Sequence, residues 1–367
     1  MMNTRRLLIP VFACLISTTA LADVEINETN FPDANFRNWA LKQSYGEDGV
    51  LTDAEIADVK YINVAIKEIQ SLKGIEFFTE ITKLSCPSNQ LTELDLSKNT
   101  KLKNVFCVDN QLTSLDLSNN TDLKELDCHE NQLKTLNVST CSQLLSLDVS
   151  DNHLTTLDVS NKNLWHLSCE NNQLTELNVS GFTSLSDLDC SCNQLTSIDV
   201  STCAGLTSFA CVQNLLTEID VSKNSRLQSL ECAANKLTRL DLSGCTELEL
   251  LSCCNNQIKG EAMDSLVANL PTRNDFPGTL TILNKDFETE QNEMSSAHVA
   301  IAKRKGWEPL YWDSGWREYA GYDVYNGICA PRVAAPNAQC IYNLSGQRIT
   351  RPRKGLFITG GRKVVVK

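Results

Sequence analysis

A 21-residue period constrains this chain more than any other feature. From residue 81 it reads Ile81-x-x-Leu84-x-Cys86-x-x-Asn89-x-Leu91-x-x-Leu94-Asp95-Leu96-Ser97, and the pattern then returns every 21 residues. The cysteine position recurs as Cys107, Cys128, Cys169, Cys190, Cys211, Cys232 and Cys253, with Val149 standing in once. The asparagine position recurs as Asn110, Asn131, Asn152, Asn172, Asn193, Asn214, Asn235 and Asn256. One turn has 20 residues, because a residue is missing near Asn161 to Leu164. Nine turns hold this register. A chain built this way forms an array in which each unit leans on its neighbours.

The spacing dictates the local chemistry. Leu-x-Cys puts two side chains on one face of a short strand, since strand side chains alternate with period two. Strands of successive turns then stack about 4.8 Å apart as a parallel sheet, and the stacked turns share one continuous core. Asparagine suits the inward bend after the strand, where its amide pairs with backbone groups that a non-helical turn leaves open. Cysteine serves as a small, buried, apolar residue. A disulfide ladder is the competing reading in an exported protein. Parallel Cβ bonds disfavour the required dihedral near 90°, and Val149 can pack but cannot bridge. A second interior line runs through Asn99, Asn120, Cys141, Phe182, Cys203, Asn224 and Cys245. On the far side, Asp95, Asp116, Asn137, Asp158, Asn178, Asp199, Asp220 and Asp241 read as acceptors for turn amides, with an acidic binding stripe as the alternative.

At these residues the chain resembles the leucine-rich-repeat family, and within it the 21-residue, cysteine-laddered internalin J type. Leu-x-x-Leu-x-Cys-x-x-Asn-Gln-Leu-Thr-x-Leu-Asp-Val-Ser is almost complete at Leu185 to Ser201. The resemblance implies an α/β solenoid: a curved parallel β-sheet array with a helical N-cap, an α/β C-cap and a small C-terminal β module. It also implies a bacterial secreted or surface protein whose curved sheet binds a partner, without catalysis and without a cofactor.

An open solenoid needs covers at both ends. Residues 1–22 read as an export signal, with Arg5 and Arg6 before the apolar run Leu7 to Ala20 and Ala20-Leu21-Ala22 as cleavage site. The rival is a lipoprotein box at Val11-Phe12-Ala13-Cys14. Residues 23–61 read as a helical N-terminal cap carrying Phe31, Phe36, Trp39 and Leu41, followed by the solenoid at 62–258. Within the cap, Ser44 to Glu55 resembles a degenerate calcium loop, with Asp48, Gly49 and Glu55 in place and two carboxylate ligands missing. The plain reading is a helix start, with Thr52 and Glu55 forming a capping box.

Residues 259–322 read as an α/β cap with its own small core: helices at Glu261–Leu270 and Glu293–Lys305, strands at Gly278–Asn284 and Trp307–Trp312, and Trp316 and Tyr319 closing it. Its tryptophans cover the last coil, or form a sugar platform. Residues 323–338 read as a linker, and Cys329 and Cys340 beside it are a possible disulfide. Residues 339–367 form strands and turns resembling the short C-terminal sorting module of exported Bacteroidetes proteins. The residues that carry this are Tyr342-Asn343-Leu344-Ser345-Gly346-Gln347-Arg348, Gly355-Leu356-Phe357-Ile358 and Lys363-Val364-Val365-Val366-Lys367. A plain accessory β module is the alternative.

Net charge of −12 argues against sequence-independent binding to nucleic acid or anionic lipid. No apolar run after the N-terminus is long enough to span a membrane. The four histidines are His129, His153, His166 and His298, and no phosphate loop or metal-spaced CxxC occurs. Function therefore falls to the outward strand positions. Read turn by turn, their middle is acidic, and the residues expected to touch a partner are Phe106, Glu125, Asp127, His129, Trp165, His166, Glu170, Asp187 and Asp189. The expected partner is an extracellular protein or glycan, host-derived ones included, met by a monomer. A spacer with an idle face is the competing function. A metal at His129 or His166 has the right ligand types, but rows about 4.8 Å apart should not converge on a tetrahedral point.

Overall fold

The chain enters its core through aromatic side chains. Phe31, Phe36 and Phe78 are fully buried, and their ring centroids lie 5.5 Å (Phe31–Phe36) and 6.3 Å (Phe31–Phe78) apart. The structure, a computed structural model, describes residues 23–322 apart from 161, 286–288 and 313–314. Beyond these it describes strand segments at 324–325, 328–329, 341–342, 348–349, 355–359 and 362–366. The expected export signal, the side chains of Cys329 and Cys340, and those of the C-terminal strands lie outside the described residues.

The N-terminal cap comprises β1 (Val24–Glu25), α1 (Ala34–Ala40), β2 (Val50–Leu51) and α2 (Asp53–Asp58). Asp33 caps α1: its Oδ1 accepts the amides of Asn35 and Phe36. Its Oδ2 accepts the amides of Gln70 at 2.8 Å and Ser71 at 3.3 Å, tying the helix to the first coil. The capping box at α2 is formed. The Glu55 carboxylate accepts the Thr52 amide at 2.9 Å and hydroxyl at 2.8 Å. Gly46 packs so tightly that a Cβ would run into the Ala40 carbonyl oxygen. Glu55 and Gly46 thus have structural roles in the cap, as the helix-start reading expects.

The coils follow as β3 (Tyr61–Asn63), β4 (Lys83–Ser85), β5 (Asn104–Phe106), β6 (Glu125–Asp127), β7 (Ser146–Asp148), β8 (His166–Ser168), β9 (Asp187–Asp189), β10 (Ser208–Ala210), β11 (Ser229–Glu231) and β12 (Leu250–Ser252). All pair in parallel and in register, so Leu84, Val105, Leu126, Leu147, Leu167, Leu188, Phe209, Leu230 and Leu251 form one buried column. From β4 on, the cysteine after the strand is fully buried, as is Val149 in its rung. Burying a side chain of this kind stabilises the fold by roughly 1.5–3 kcal/mol, and every coil contributes several.

Each ladder asparagine staples two coils. The Nδ2 of Asn131 donates to the carbonyls of Cys128, His129 and, one coil back, Cys107. The side-chain carbonyl of Asn131 accepts the amide of Leu112 at 3.0 Å. The residue before each asparagine is left-handed without being glycine, from Ser88 to Asn255, with φ of 51–54°. Across the 20-residue coil the bond from Leu154 N to Asn172 Oδ1 is still 2.9 Å. The missing residue is therefore absorbed away from the sheet. In the returning segment, Asp95, Asp116, Asn137, Asn178, Asp199, Asp220 and Asp241 each accept the amide two residues on through Oδ1. These are the Asx turns expected of that column.

The C-terminal cap departs from expectation in one respect: it has no separate core. After α3 (Glu261–Asn269), β13 (Gly278–Asn284) pairs with β12 in the solenoid's own register, Leu251 against Leu280. Following α4 (Ser296–Arg304), β14 (Trp307–Trp312) continues the parallel sheet, and β15 (Trp316–Glu318) closes it antiparallel. Met263, Leu266, Ile282, Met294 and Trp307 belong to the same hydrophobic cluster as the coils. Helix α4 begins later than the sequence suggests because residues 290–294 are used by the last coil. Glu290 accepts the amide of Asn255, and Asn292 accepts that of Ile258 while donating to Cys253 and Ile282. Asn292 is thus a further rung of the asparagine ladder.

Trp307 covers the coil as expected, but Trp316 is 56% exposed and takes no part in the core. Within the segment read as a linker, β16 (Val324–Tyr325) and β17 (Ile328–Cys329) pair antiparallel. The last strands, β18 (Ile341–Tyr342), β19 (Arg348–Ile349), β20 (Gly355–Thr359) and β21 (Arg362–Val366), form an antiparallel sheet of order β19-β18-β20-β21. Among the described residues no helix is long and apolar enough to cross a membrane.

Candidate functional site: the exposed face of the sheet

The three-residue strands leave two outward columns, and the residue two places beyond each strand adds a third. Strand alternation buries only the middle residue, so the first and last remain partly exposed in every coil. Ser168 is the exception: it is buried, because Ser150 covers it with an Oγ–Oγ hydrogen bond of 2.6 Å. The columns vary in chemistry along their length, and three clusters result.

The first cluster lies at the N-terminal end. Lys83 Nζ sits 5.3 Å from the Tyr61 ring centroid and 4.9 Å from that of Phe106. Phe106 was expected on this face. Tyr61 was missed because it belongs to the atypical first coil, where the repeat cannot be extrapolated; only the strand register, Tyr61 against Lys83, places it. Glu125, in the neighbouring coil, accepts from Asn104 Nδ2 at 2.7 Å.

The second cluster joins three residues across two coils. His129 Nδ1 lies 2.7 Å from Asp127 Oδ1 and 3.8 Å from Asp148 Oδ2. Burial pulls the His129 pKa down, but the hydrogen bond to Asp127 and the charges of Asp127, Asp148 and Glu130 outweigh it, and the net shift is upward. Asp127 is pushed up by burial and by Asp148, with His129 opposing. Side chains of two successive rows come together here, although the rows themselves are spaced too widely to converge on a tetrahedral point. His129 stands beyond the strand, where the chain bends, and its ring reaches back over both carboxylates. Asp148 belongs to the outward columns but was not singled out. One ligand-type atom from each of Asp127, His129 and Asp148 falls within 4.8 Å of the other two.

The third cluster surrounds Trp165, which is 50% exposed, beside Leu145 at 39%. The Trp165 and His166 rings are tilted 44° with centroids 5.6 Å apart. His166 Nδ1 lies 3.0 Å from Asp187 Oδ2, and this hydrogen bond is the main cause that raises the His166 pKa and lowers that of Asp187. Glu170 and Asp189 face each other's charge; burial, then Asp189, raises the Glu170 pKa. Among the described residues no lysine or arginine forms an ion pair with Asp127, Asp148, Glu170, Asp187, Asp189 or Glu231. Eight of the nine expected residues therefore form a strip on the outward columns, with Trp165 one place before β8 at its edge, and they do not form one pocket. The clefts in the returning segments, lined by Asp95 and Asp116 or by Asp199, Asp220 and Asp241, include none of them.

A family model described as the leucine-rich-repeat domain of the endo-beta-N-acetylglucosaminidase EndoS matches residues 31–152, about a third of the chain. Among solved structures, the internalin InlF of Listeria monocytogenes is 22% identical, with 81% of this chain and 93% of that one covered, and a TM-score of 0.60. A leucine-rich-repeat protein of Leptospira interrogans is 25% identical over 59% of this chain and 60% of its own, with a TM-score of 0.56. The functional domain of InlJ from Listeria monocytogenes, which includes a cysteine ladder, is 26% identical over 72% of this chain and 82% of that one, with a TM-score of 0.29. No curated protein sequence matches. The fold is a leucine-rich-repeat solenoid with internalin-like neighbours, and proteins of this architecture characteristically use their extended sheet surfaces for interaction.

Proposed function

We propose that this chain is an exported recognition protein that engages an extracellular protein through the exposed face of its sheet, with Phe106, Glu125, Asp127, His129, Trp165, His166, Glu170, Asp187 and Asp189 as its contacts. The observation that carries this is the half-exposed Trp165 with Leu145 beside it: an apolar pair one place before β8 and β7, at the edge of the carboxylate-bearing columns. The inner positions repeat because packing demands it. Nothing in the packing demands an indole in water, and exposed aromatics are frequent anchors of interfaces. The acidic surround suits a basic partner surface.

Export rests on residues 1–22, and the four-stranded C-terminal sheet is consistent in its strand content with a sorting module. Mass spectrometry of the released protein's C-terminus tests the latter. A glycan partner is the second reading, favoured by the flat indole of Trp165 flanked by the polar groups of His166 and Asp187. An array of extracellular-matrix proteins and mucin-type glycans, probed with the full chain and with the Phe106→Ala/Trp165→Ala/His166→Ala variant, tests both. Hits lost in the variant at unchanged melting temperature support recognition through this face, and their class separates protein from glycan. An array without hits supports a spacer role.

A further inference from the structure

The Asp127–His129–Asp148 cluster goes beyond partner recognition, and its geometry stands whatever the chain binds. We propose that it is a binding site for a divalent first-row transition cation of the zinc or manganese class. The donor set is one imidazole nitrogen and two carboxylate oxygens, ligand types that such ions accept. His129 Nδ1 is 2.7 Å from Asp127 Oδ1 and 3.8 Å from Asp148 Oδ2. These separations bracket the ~3.3 Å between ligand atoms held about 2.0–2.1 Å from a tetrahedral ion. The two carboxylate oxygens lie within 4.8 Å of each other, so side-chain rotation that draws them together would bring all three ligand atoms onto one sphere.

Two further observations point to a cation. Asp127 and Asp148 are register partners on adjacent strands, so two carboxylates are held side by side, and among the described residues His129 is the only basic side chain within ion-pair distance of either. A divalent ion would neutralise both. Asp148 is also aimed from behind: its Oδ1 accepts the Ser150 amide at 2.9 Å and hydroxyl at 2.7 Å, and Ser150 Oγ is in turn 2.6 Å from Ser168 Oγ. The first oxygen is thereby occupied, and Oδ2, the atom nearest His129, remains for a ligand. Outer contacts of this kind orient metal-binding carboxylates. All three residues are only partly buried, which leaves the remaining coordination positions to water or to a partner's side chain.

The test uses the full chain after treatment with a chelator. Zinc is titrated calorimetrically in a Cys192→Ser background, because Cys192 is the least buried described thiol and would compete. Manganese is followed by electron paramagnetic resonance in the unmodified chain, since that ion avoids thiolates. One equivalent should bind, with affinity falling at least tenfold in His129→Ala and in Asp148→Asn, and unchanged in His166→Ala. Circular dichroism establishes that each variant is folded. No saturable binding of either ion, or binding that His129→Ala and Asp148→Asn leave intact, overturns the proposal and leaves His129 as a counter-ion to two carboxylates.

Discussion

Two kinds of buried asparagine sit in this core, and they do opposite things for stability. Asn131 uses both ends of its amide, donating to three carbonyls and accepting from Leu112. Asn120 donates to the carbonyls of Leu96 and Asn99, but its Oδ1 has no partner. At the equivalent place in other coils stand Cys203 and Cys245, whose thiols donate to Val179 and Val221 at 3.5 Å. Leaving a buried polar group unpaired costs about 1–3 kcal/mol. Asn131→Ala should therefore lower stability to urea by about 3 kcal/mol or more, whereas Asn120→Cys should change it by about 1 kcal/mol or less.

The His166–Asp187 pair is a second test at this scale. His166 is raised from 6.5 on folding, so its contribution is complete below that value and is lost as pH rises through its folded pKa. Asp187 is lowered from 3.8, so its contribution is present above that value and is lost as pH falls through its folded pKa. The stability gap between the natural chain and His166→Gln should be widest near pH 5 and shrink by pH 9. Solvent screening at this partly exposed pair keeps it below about 1 kcal/mol.

At the scale of the elements, the cysteine column decides between packing and cross-linking. Every described cysteine is free, and all but Cys192 are buried. Burial pushes the Cys86 thiol up to about 12 and raises the other ladder thiols further. Cys128, Cys169 and Cys190 turn their S–H toward the carbonyl of the next strand, at 3.7, 3.5 and 3.4 Å. A protonated, buried thiol is a poor nucleophile. Maleimide labelling of the native chain should therefore modify Cys192 and spare the eight ladder cysteines from Cys86 to Cys253, which should react only in denaturant. Ladder cysteines that label natively, or that emerge as disulfides, would contradict this.

The regular elements were legible because interior contacts repeat: Leu-x-Cys-x-x-Asn names the strand, its buried column and its staple in every coil. Asn292 was not, because 36 residues separate it from Asn256 and a helix and a strand intervene. The start of α4 was misplaced for the same reason. A helical apolar pattern cannot show that Glu290 and Asn292 are engaged by the preceding coil. The approach of His129 to Asp148 was hidden too, since strand periodicity says nothing about a ring that reaches back from the bend.

At the scale of the whole molecule, one hydrophobic cluster runs from Ile26 to Tyr311, and the sheet runs unbroken from β3 to β15. Such a solenoid holds its outward side chains at fixed spacing with little freedom to collapse, which lowers the ordering cost of binding. It also sets two families of carboxylates apart. Asp127, Asp148, Glu170, Asp187 and Asp189 occupy the strand face, while Asp95, Asp116, Asp199, Asp220 and Asp241 are tied to the amide and hydroxyl of the serine two residues on in the returning segments, which lowers their pKa values.

This segregation supplies its own control. Carbodiimide footprinting of the full chain, free and bound to the strongest matrix-protein or glycan hit from the array, reads both families in one digest. Protection of Asp127, Asp148, Glu170, Asp187 and Asp189 with the Asp95-to-Asp241 column unchanged is the predicted result. Protection confined to that column or to residues 261–322, with the strand carboxylates labelling as in the free chain, would contradict recognition through the sheet.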